Sequence, residues 1–271
     1  MFDKLIGNNE IKTILRRMLK TSRVPHSLLF AGEEGVGKKH FALELAKSFV
    51  CQNPIEFEAC GKCVDCHRAD KFTFPKPDDK KEEFERVFFS QHSDIGQVIP
   101  CRNNVLVGSI RDLEKEANYR PYESKARFFI IDDADKMNDA ASNALLKTLE
   151  EPAETTYLFL ITSRPDALLS TILSRCQTLR FAPIPAIEID RHLLDTKQFA
   201  IDDAELLSLL SNGNIGLAKT LDLAKFREQR DLMLKVLQSL LIENNRAFLL
   251  KTAEEMNDAK NKDAYENFLD I

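Results

Sequence analysis

No run of apolar residues in this chain is long enough to cross a membrane. The longest, such as Tyr157-Leu158-Phe159-Leu160-Ile161, fall far short of the roughly 18 residues that a span needs. The start, Met1-Phe2-Asp3-Lys4, has neither the basic opening nor the apolar stretch of a signal peptide, so the expected compartment is the cytoplasm. An excess of positive charge is also missing: 38 Lys and Arg stand against 43 Asp and Glu, a net charge of −5. Tight DNA binding by the chain alone needs clustered cations to neutralise phosphates. The acidic balance argues against it, while leaving room for a local basic strip. No internal repeat is visible. What is present, 44% hydrophobic and 30% charged residues, describes a globular chain, and at about 150 residues per domain the length predicts about two domains.

Periodicity supplies the elements. Apolar residues Ile11, Ile14, Leu15 and Met18 recur at helical spacing over 8–20. The run Ser27-Leu28-Leu29-Phe30-Ala31 reads as a strand buried on both faces, a glycine-rich loop follows, and 38–50 is again helical. Further strands are predicted at 126–132, 156–162 and 177–181. Helices are predicted at 109–118 and 139–150, the latter stopped by Pro152. Alternating buried strands and helices predict an α/β fold with a doubly wound parallel sheet. After Phe181-Ala182-Pro183-Ile184-Pro185 only helical periodicity remains, near 187–195, 202–211, 214–222, 225–242 and 245–257, so the domain boundary falls in that proline-containing stretch. The charged segment around Pro75-Lys76-Pro77-Asp78-Asp79 interrupts the sheet pattern between 70 and 91 and reads as a solvated surface insertion.

Gly32-Glu33-Glu34-Gly35-Val36-Gly37-Lys38 fits the P-loop pattern. Glycines let backbone N–H groups curl around an anion, the following helix adds its positive end, and Lys38 reaches the terminal phosphates. The next residue should be Ser or Thr, whose hydroxyl ligates magnesium, and it is Lys39. Lys39 can contribute charge to phosphate binding and cannot ligate a metal ion. Phe128-Phe129-Ile130-Ile131-Asp132-Asp133 is a strand ending in acid, with Asp132 at the end where magnesium is oriented. Asp133 is one methylene shorter than the glutamate that would activate water, and a misplacement of about 1 Å can cost about a hundredfold in rate. The motif leaves ATP or ADP binding open and argues against independent hydrolysis.

Four of the six cysteines, Cys51, Cys60, Cys63 and Cys66, fall within sixteen residues. A reducing compartment disfavours disulfides, and four thiolates suit tetrahedral structural Zn²⁺ with a closed shell and no catalytic water. An iron–sulfur cluster is the rival, although Asp70 stands downstream rather than a cysteine.

Several motifs then occur in one order: Val24-Pro25-His26-Ser27, the glycine loop, the cysteine group, Asp132-Asp133, the decapeptide Asn143-Ala144-Leu145-Leu146-Lys147-Thr148-Leu149-Glu150-Glu151-Pro152, and Ser174-Arg175-Cys176. In this order they resemble the bacterial DNA polymerase III clamp-loader subunits, delta-prime in particular, over nearly the whole chain. That resemblance implies an AAA+ module: a RecA-like domain over 1–183 with a zinc module at 51–66, a helical lid over 184–224, and a partial helical collar over 225–271. It implies that Arg175 acts as an arginine finger in trans, where a delocalised cation stabilises charge growing on the phosphoryl oxygens. Thr162 falls at the family's sensor-1 position, and Gly216 replaces the sensor-2 arginine of the motor subunits. The implied partners are the tau/gamma motor and delta subunits, with the sliding clamp and primer–template DNA reached through the complex. The chain ends soon after 264–271 begins a further apolar segment, so the collar is expected to be incomplete. Two other readings stand beside this one: a tau/gamma-type ATP-hydrolysing motor, against which Lys39, Asp133 and Gly216 count, and a stand-alone zinc-dependent nucleic-acid binder, which the acidic balance disfavours.

Overall fold

The computed structural model describes residues 2–196 and 199–241. The chain divides into two compact units, Met1–Pro183 and Ile184–Ile271. In the first unit, helix α1 (Asn9–Lys20) buries Ile11, Leu15, Met18 and Leu19 at helical spacing, while Ile14 lies on its exposed side. The Asn8 side chain exchanges two hydrogen bonds with the backbone of Ala182, at 3.1 and 2.8 Å, which ties the start of α1 to the end of the unit.

Strand β1 (Ser27–Ala31) is buried at every residue. It leads through the glycine loop into α2 (Lys38–Val50). The short helix α3 (Val64–Ala69) precedes β2 (Phe88–Phe89), β3 (Ile95–Val98) and α4 (Val107–Ala117). Then come β4 (Arg127–Ile131), α5 (Asp139–Glu150), β5 (Thr156–Thr162), α6 (Ser170–Leu173) and β6 (Gln177–Arg180). The sheet runs β2-β3-β4-β5-β1-β6. All neighbours are parallel except β2, which adds an antiparallel edge.

Strand alternation sends Leu28, Phe30, Phe128 and Phe159 into one core layer with α1 and α2. Leu29, Ala31, Phe129 and Leu158 face the other layer, packed by α4 and α5. Because both faces are covered, these strands read as continuous apolar runs. β1 lies between β5 and β6, so strand order reverses beside it. In open α/β sheets that is the point where ligands bind, outside the carboxyl ends of the strands.

The sequence pattern did not disclose β3. Ile95-Gly96-Gln97-Val98 holds a glycine that propensity counts against a strand and a polar Gln97, yet all four are buried. Gly96 is required by close packing: a Cβ there would lie 2.5 Å from Val87 Cγ1. The 70–91 segment is also less solvated than its charge predicts. Its middle, 76–78 and 80–83, is exposed, but Phe84, Val87 and Phe88 are buried, Phe72 bridges to Ser90, and Phe88–Phe89 pairs with β3. Hydrophobic residues at both ends turn the insertion into a sheet edge.

Arg127, at the start of β4, is fully buried. Its guanidinium donates to the Glu116 backbone carbonyl at 2.6 Å and carboxylate at 3.0 Å. It lies 3.8 Å from the buried Asp94 carboxylate and about 5 Å from the Phe89, Tyr122 and Phe129 ring centres. Asp94 in turn accepts the backbone N–H groups of Tyr122, Glu123 and Ser124. In the second unit, α7 (Ala186–Asp195), α8 (Ile201–Leu210), α9 (Ile215–Thr220) and α10 (Leu223–Leu241) follow one another. Ile189, Leu193, Ala204, Leu207 and Ala218 are buried. Asn214 caps α9 through Leu217 N–H at 2.8 Å, and Arg227 of α10 pairs with Asp203 of α8 at 2.6 Å. The predicted helix over 245–257 and the rest of the expected collar from 242 onward lie outside the described residues.

Arg127→Ala leaves the buried Asp94 carboxylate without its cation. The expected loss of stability is about 3 kcal/mol or more, read from the midpoint shift in urea unfolding. A change under about 1 kcal/mol would show that the guanidinium is not needed there.

Candidate functional site: a P-loop with internally paired acids

The glycine loop is held by contacts that exclude side chains. Gly32 has φ +156, and a Cβ on it would stand 2.5 Å from the Phe181 carbonyl oxygen and 2.8 Å from Phe181 Cβ. Gly35 (φ 72) and Gly37 (φ 94) occupy the left-handed region, which costs a residue with a Cβ. A Cβ on Gly37 would meet nothing within 4 Å, so that side of the loop is open where α2 begins. Lys38 is buried, and its Nζ donates to the carbonyls of Gly32 at 2.6 Å and Glu33 at 2.5 Å. Burial pushes its ammonium below the ordinary lysine range, against the pull of the Glu34, Asp133, Asp132 and Asp135 carboxylates. The loop therefore keeps the shape and the cation of a phosphate cradle.

The acids beside it are committed within the chain. Asp132 follows β4 directly, with its backbone N–H on Val98 O at 3.0 Å. Its Oδ2 accepts Lys39 Nζ at 3.0 Å and the Gln97 amide at 3.3 Å. Asp133 takes φ 47 and pairs with Lys136 at 2.8 Å. Thr162, fully buried at the end of β5, donates its hydroxyl to Asp135 Oδ1 at 2.8 Å, and Arg164 binds the other Asp135 oxygen at 3.0 Å. Burial alone would raise the Asp135 carboxyl, but the Thr162 and Arg164 hydrogen bonds outweigh it and hold it below its usual value. Sequence reasoning singled out Asp132, Asp133 and Thr162; it did not find Gln97, Lys136, Asp135 or Arg164 as their partners. Magnesium does not fit this arrangement. The residue that should offer a hydroxyl is an ammonium, and that ammonium sits on the carboxylate that should orient the ion.

Arg175 lies elsewhere. The register Leu28↔Gln177 through Ala31↔Arg180 puts it beyond the amino-terminal end of β6, whereas Gly32 follows the carboxyl end of the neighbouring β1. The two are a strand length apart, roughly 15–20 Å at about 3.3 Å per residue. The Arg175 guanidinium, one-third exposed, pairs with Glu150 at the end of α5 and donates to the Thr171 carbonyl at 2.9 Å. Burial pushes the adjoining Cys176 thiol up to about 12, and Cys176 packs against the core that contains Leu168 and Ile172. Arg175 faces out and the next residue, Cys176, anchors the triplet inward. Glu150 belongs to the decapeptide of the sequence analysis, so the two motifs touch.

A sequence profile described as DNA polymerase III, delta subunit, matches residues 7–185. The DNA polymerase III subunit delta' of Bacillus subtilis is 31% identical over 264 residues, covering 96% of this chain and 73% of that protein. The chain belongs to the delta-prime and tau/gamma family of DNA polymerase III clamp-loader subunits. The delta' subunit of Escherichia coli is 29% identical over 68% of this chain and 47% of its own length. Bacillus subtilis subunit tau is 27% identical over the whole chain, which spans 46% of that longer protein. Among solved structures, the Thermotoga maritima RuvB Holliday junction branch migration motor has a TM-score of 0.51 at 18% identity, covering 96% of this chain and 72% of the other. That likeness shows an AAA+-like fold.

In this clamp-loader chain the cysteine group forms a separate small core. Cys51 caps the end of α2, Cys63 caps the start of α3, and Cys66 lies within α3. The four Sγ atoms lie within 4.8 Å of one another, with Cys51–Cys63 at 3.8 Å and Cys60–Cys66 at 4.0 Å. A tetrahedral ion with metal–sulfur bonds of about 2.3 Å sets its sulfurs about 3.8 Å apart. The donor set therefore fits one metal ion such as zinc and leaves no room for a cluster's own iron and sulfide atoms. The N–H groups of Lys62 and Cys63 point at the Cys60 sulfur at 3.4 and 3.3 Å, which brings that thiol down to about 6. Burial raises Cys66. The module is tied to α1 through buried Glu58, which accepts Phe2 N–H at 2.7 Å and Arg16 Nε at 2.6 Å. Among the described residues, no helix is long and apolar enough to cross a membrane.

Metal analysis of the purified chain is expected to return about one zinc per chain. Cys63→Ser should lower that content severalfold and make 51–66 the first segment cut by protease, since structural metal binding contributes directly to folding. Release should increase as pH falls, because protons compete with the ion for thiolates. Full metal retention in Cys63→Ser, or iron with sulfide in the purified chain, would overturn the assignment.

Proposed function

We propose that the chain is a delta-prime-type subunit of the DNA polymerase III clamp loader that does not turn over ATP itself and lends Arg175 to the ATP site of a neighbouring tau/gamma-type motor subunit. The observation that carries this reading is the position of Arg175. It stands at the opposite end of β1 and β6 from the chain's own glycine loop, on the surface. A guanidinium so placed can reach a triphosphate held by another chain and not one held by its own loop. Delocalised charge on a planar fork suits the phosphoryl oxygens. Glu150 holds the side chain within its own surface until a stronger anion is offered, and an exposed ion pair of this kind is worth only about 0–1 kcal/mol.

Absent turnover in the chain itself follows from the same geometry. Lys39 is paired with Asp132 and Asp133 with Lys136, so a magnesium ion or an activated water would have to compete with these cations for the carboxylates. The tau/gamma-type motor reading, which the match to subunit tau keeps in view, requires those groups to be free. In the proposed assembly α7–α9 serve as the lid over 184–224, and α10 begins the collar that joins the subunits. The four cysteines hold a structural zinc whose closed shell leaves no site for water. Delta and tau/gamma subunits are the direct partners, and the clamp and primed DNA are met through the complex. The compartment is the cytoplasm, where the thiols stay reduced.

The test is reconstitution with the cognate motor and delta subunits, with ATP turnover measured in the presence of clamp and primed DNA. Arg175→Ala should assemble, unfold at nearly the wild-type temperature, and lower turnover at the adjoining motor site by about a thousandfold, the scale of losing a finger. Unchanged turnover at that site would remove the assignment, and robust ATPase activity of the isolated wild-type chain would rule out the non-hydrolysing reading.

A further inference from the structure

Lys39 Nζ is held from two sides. Asp132 Oδ2 lies 3.0 Å away. The same oxygen receives the Gln97 amide, which fixes the carboxylate. The Phe74 ring centre lies 5.5 Å from the ammonium, within the range of attraction between a cation and an aromatic face. Phe74 comes from the 70–91 segment and is itself supported. It stacks on Phe72 at 5.4 Å with 4° between ring planes, and meets Phe88 of β2 edge-on at 5.7 Å. The insertion therefore delivers an aromatic shelf to the first turn of α2, beside the glycine loop.

In a P-loop enzyme a hydroxyl at the position of Lys39 and a carboxylate at the position of Asp132 share one task, which is to hold the divalent ion that neutralises the phosphates. Here the two side chains neutralise each other, and a charged lysine offers donors only. We propose that the Lys39 ammonium is a built-in substitute for that ion, so that this pocket takes the polyphosphate of a nucleoside di- or triphosphate as the free anion rather than as its magnesium complex. Lys38 then supplies the cation and the Asp132-paired Lys39 supplies N–H donors at a helix amino terminus, where an anion is already favoured. A divalent ion would have to be accommodated against a positive charge of like sign at Asp132. The inference rests on reading residues 32–38 as a phosphate cradle, and it deepens that reading by naming the ligand's form.

The sign of the magnesium effect follows. Excess magnesium converts free ADP to its complex, so a pocket built for the free anion binds no better, or less well, when the ion is added. Restoring the hydroxyl reverses this, because Lys39→Thr frees Asp132 and supplies a ligand. The experiment is isothermal titration of the full chain with ADP in magnesium-free buffer and again in excess MgCl₂, without chelator so that the cysteine site is undisturbed. Wild type, Lys39→Thr and Lys39→Ser are compared. Lys39 is half-buried at the start of α2, and two independent hydroxyl variants guard against one misfolding.

Wild type should bind ADP at least as tightly without magnesium as with it, whereas both variants should gain about tenfold or more in affinity when magnesium is added. Magnesium tightening of the wild type by about tenfold would overturn the inference while leaving the cradle intact. So would hydroxyl variants that remain insensitive to the ion. A wild-type chain that binds no ADP in either buffer would overturn the cradle reading itself, and the inference with it.

Discussion

The site depends on the placement of β1. Its five residues are buried on both faces, it runs between β5 and β6, and it ends at a glycine with no space for a side chain because the Phe181 carbonyl lies where a Cβ would be. That contact starts the loop at a fixed point on the carboxyl edge of the sheet and aims it into α2. The same strand sets the register of β6 and so carries Arg175 to the opposite edge. One central strand therefore separates the glycine loop from the Arg175–Glu150 pair.

Every acid named beside the glycine loop has a cationic partner in the chain. Asp132, Asp133 and Asp135 are paired with Lys39, Lys136 and Arg164 respectively. A motor needs carboxylates whose charge is spent on a metal ion and a water molecule. Here each is neutralised by a cation of the same chain, and the Thr162 hydroxyl is directed to Asp135 rather than away from the sheet. Arg175 meets the opposite condition: its partner Glu150 is half exposed, so little holds it against a competing anion.

The two segments that interrupt the sheet pattern do different work. The cysteine module closes on itself, with thiols at metal-binding distances and one buried carboxylate tying it to the chain start. The 70–91 segment is charged in the middle and aromatic at its ends. Those ends build the β2 edge and bring Phe74 over Lys39. Low overall hydropathy concealed this role, because a few well-spaced phenylalanines suffice to anchor a segment whose remaining residues are solvated.

Local chemistry by itself determined a good deal of this protein. β1, α2, α5 and β5 begin and end where their apolar runs, Pro152 and the glycine loop place them, because each signal lies within a few residues of the element it shapes. The glycine loop and the cysteine spacing were legible for the same reason. Only the tertiary structure decided what the charges do. Lys39 and Asp132 are 93 residues apart and Arg175 and Glu150 are 25 apart; nothing in either neighbourhood names its partner, since an ion pair forms wherever packing sets two opposite charges within reach. β3 was hidden likewise, its burial resting on the fit of Gly96 against Val87. Pattern along a chain reports the solvent side of each residue, and contact across the sheet reports its chemical task.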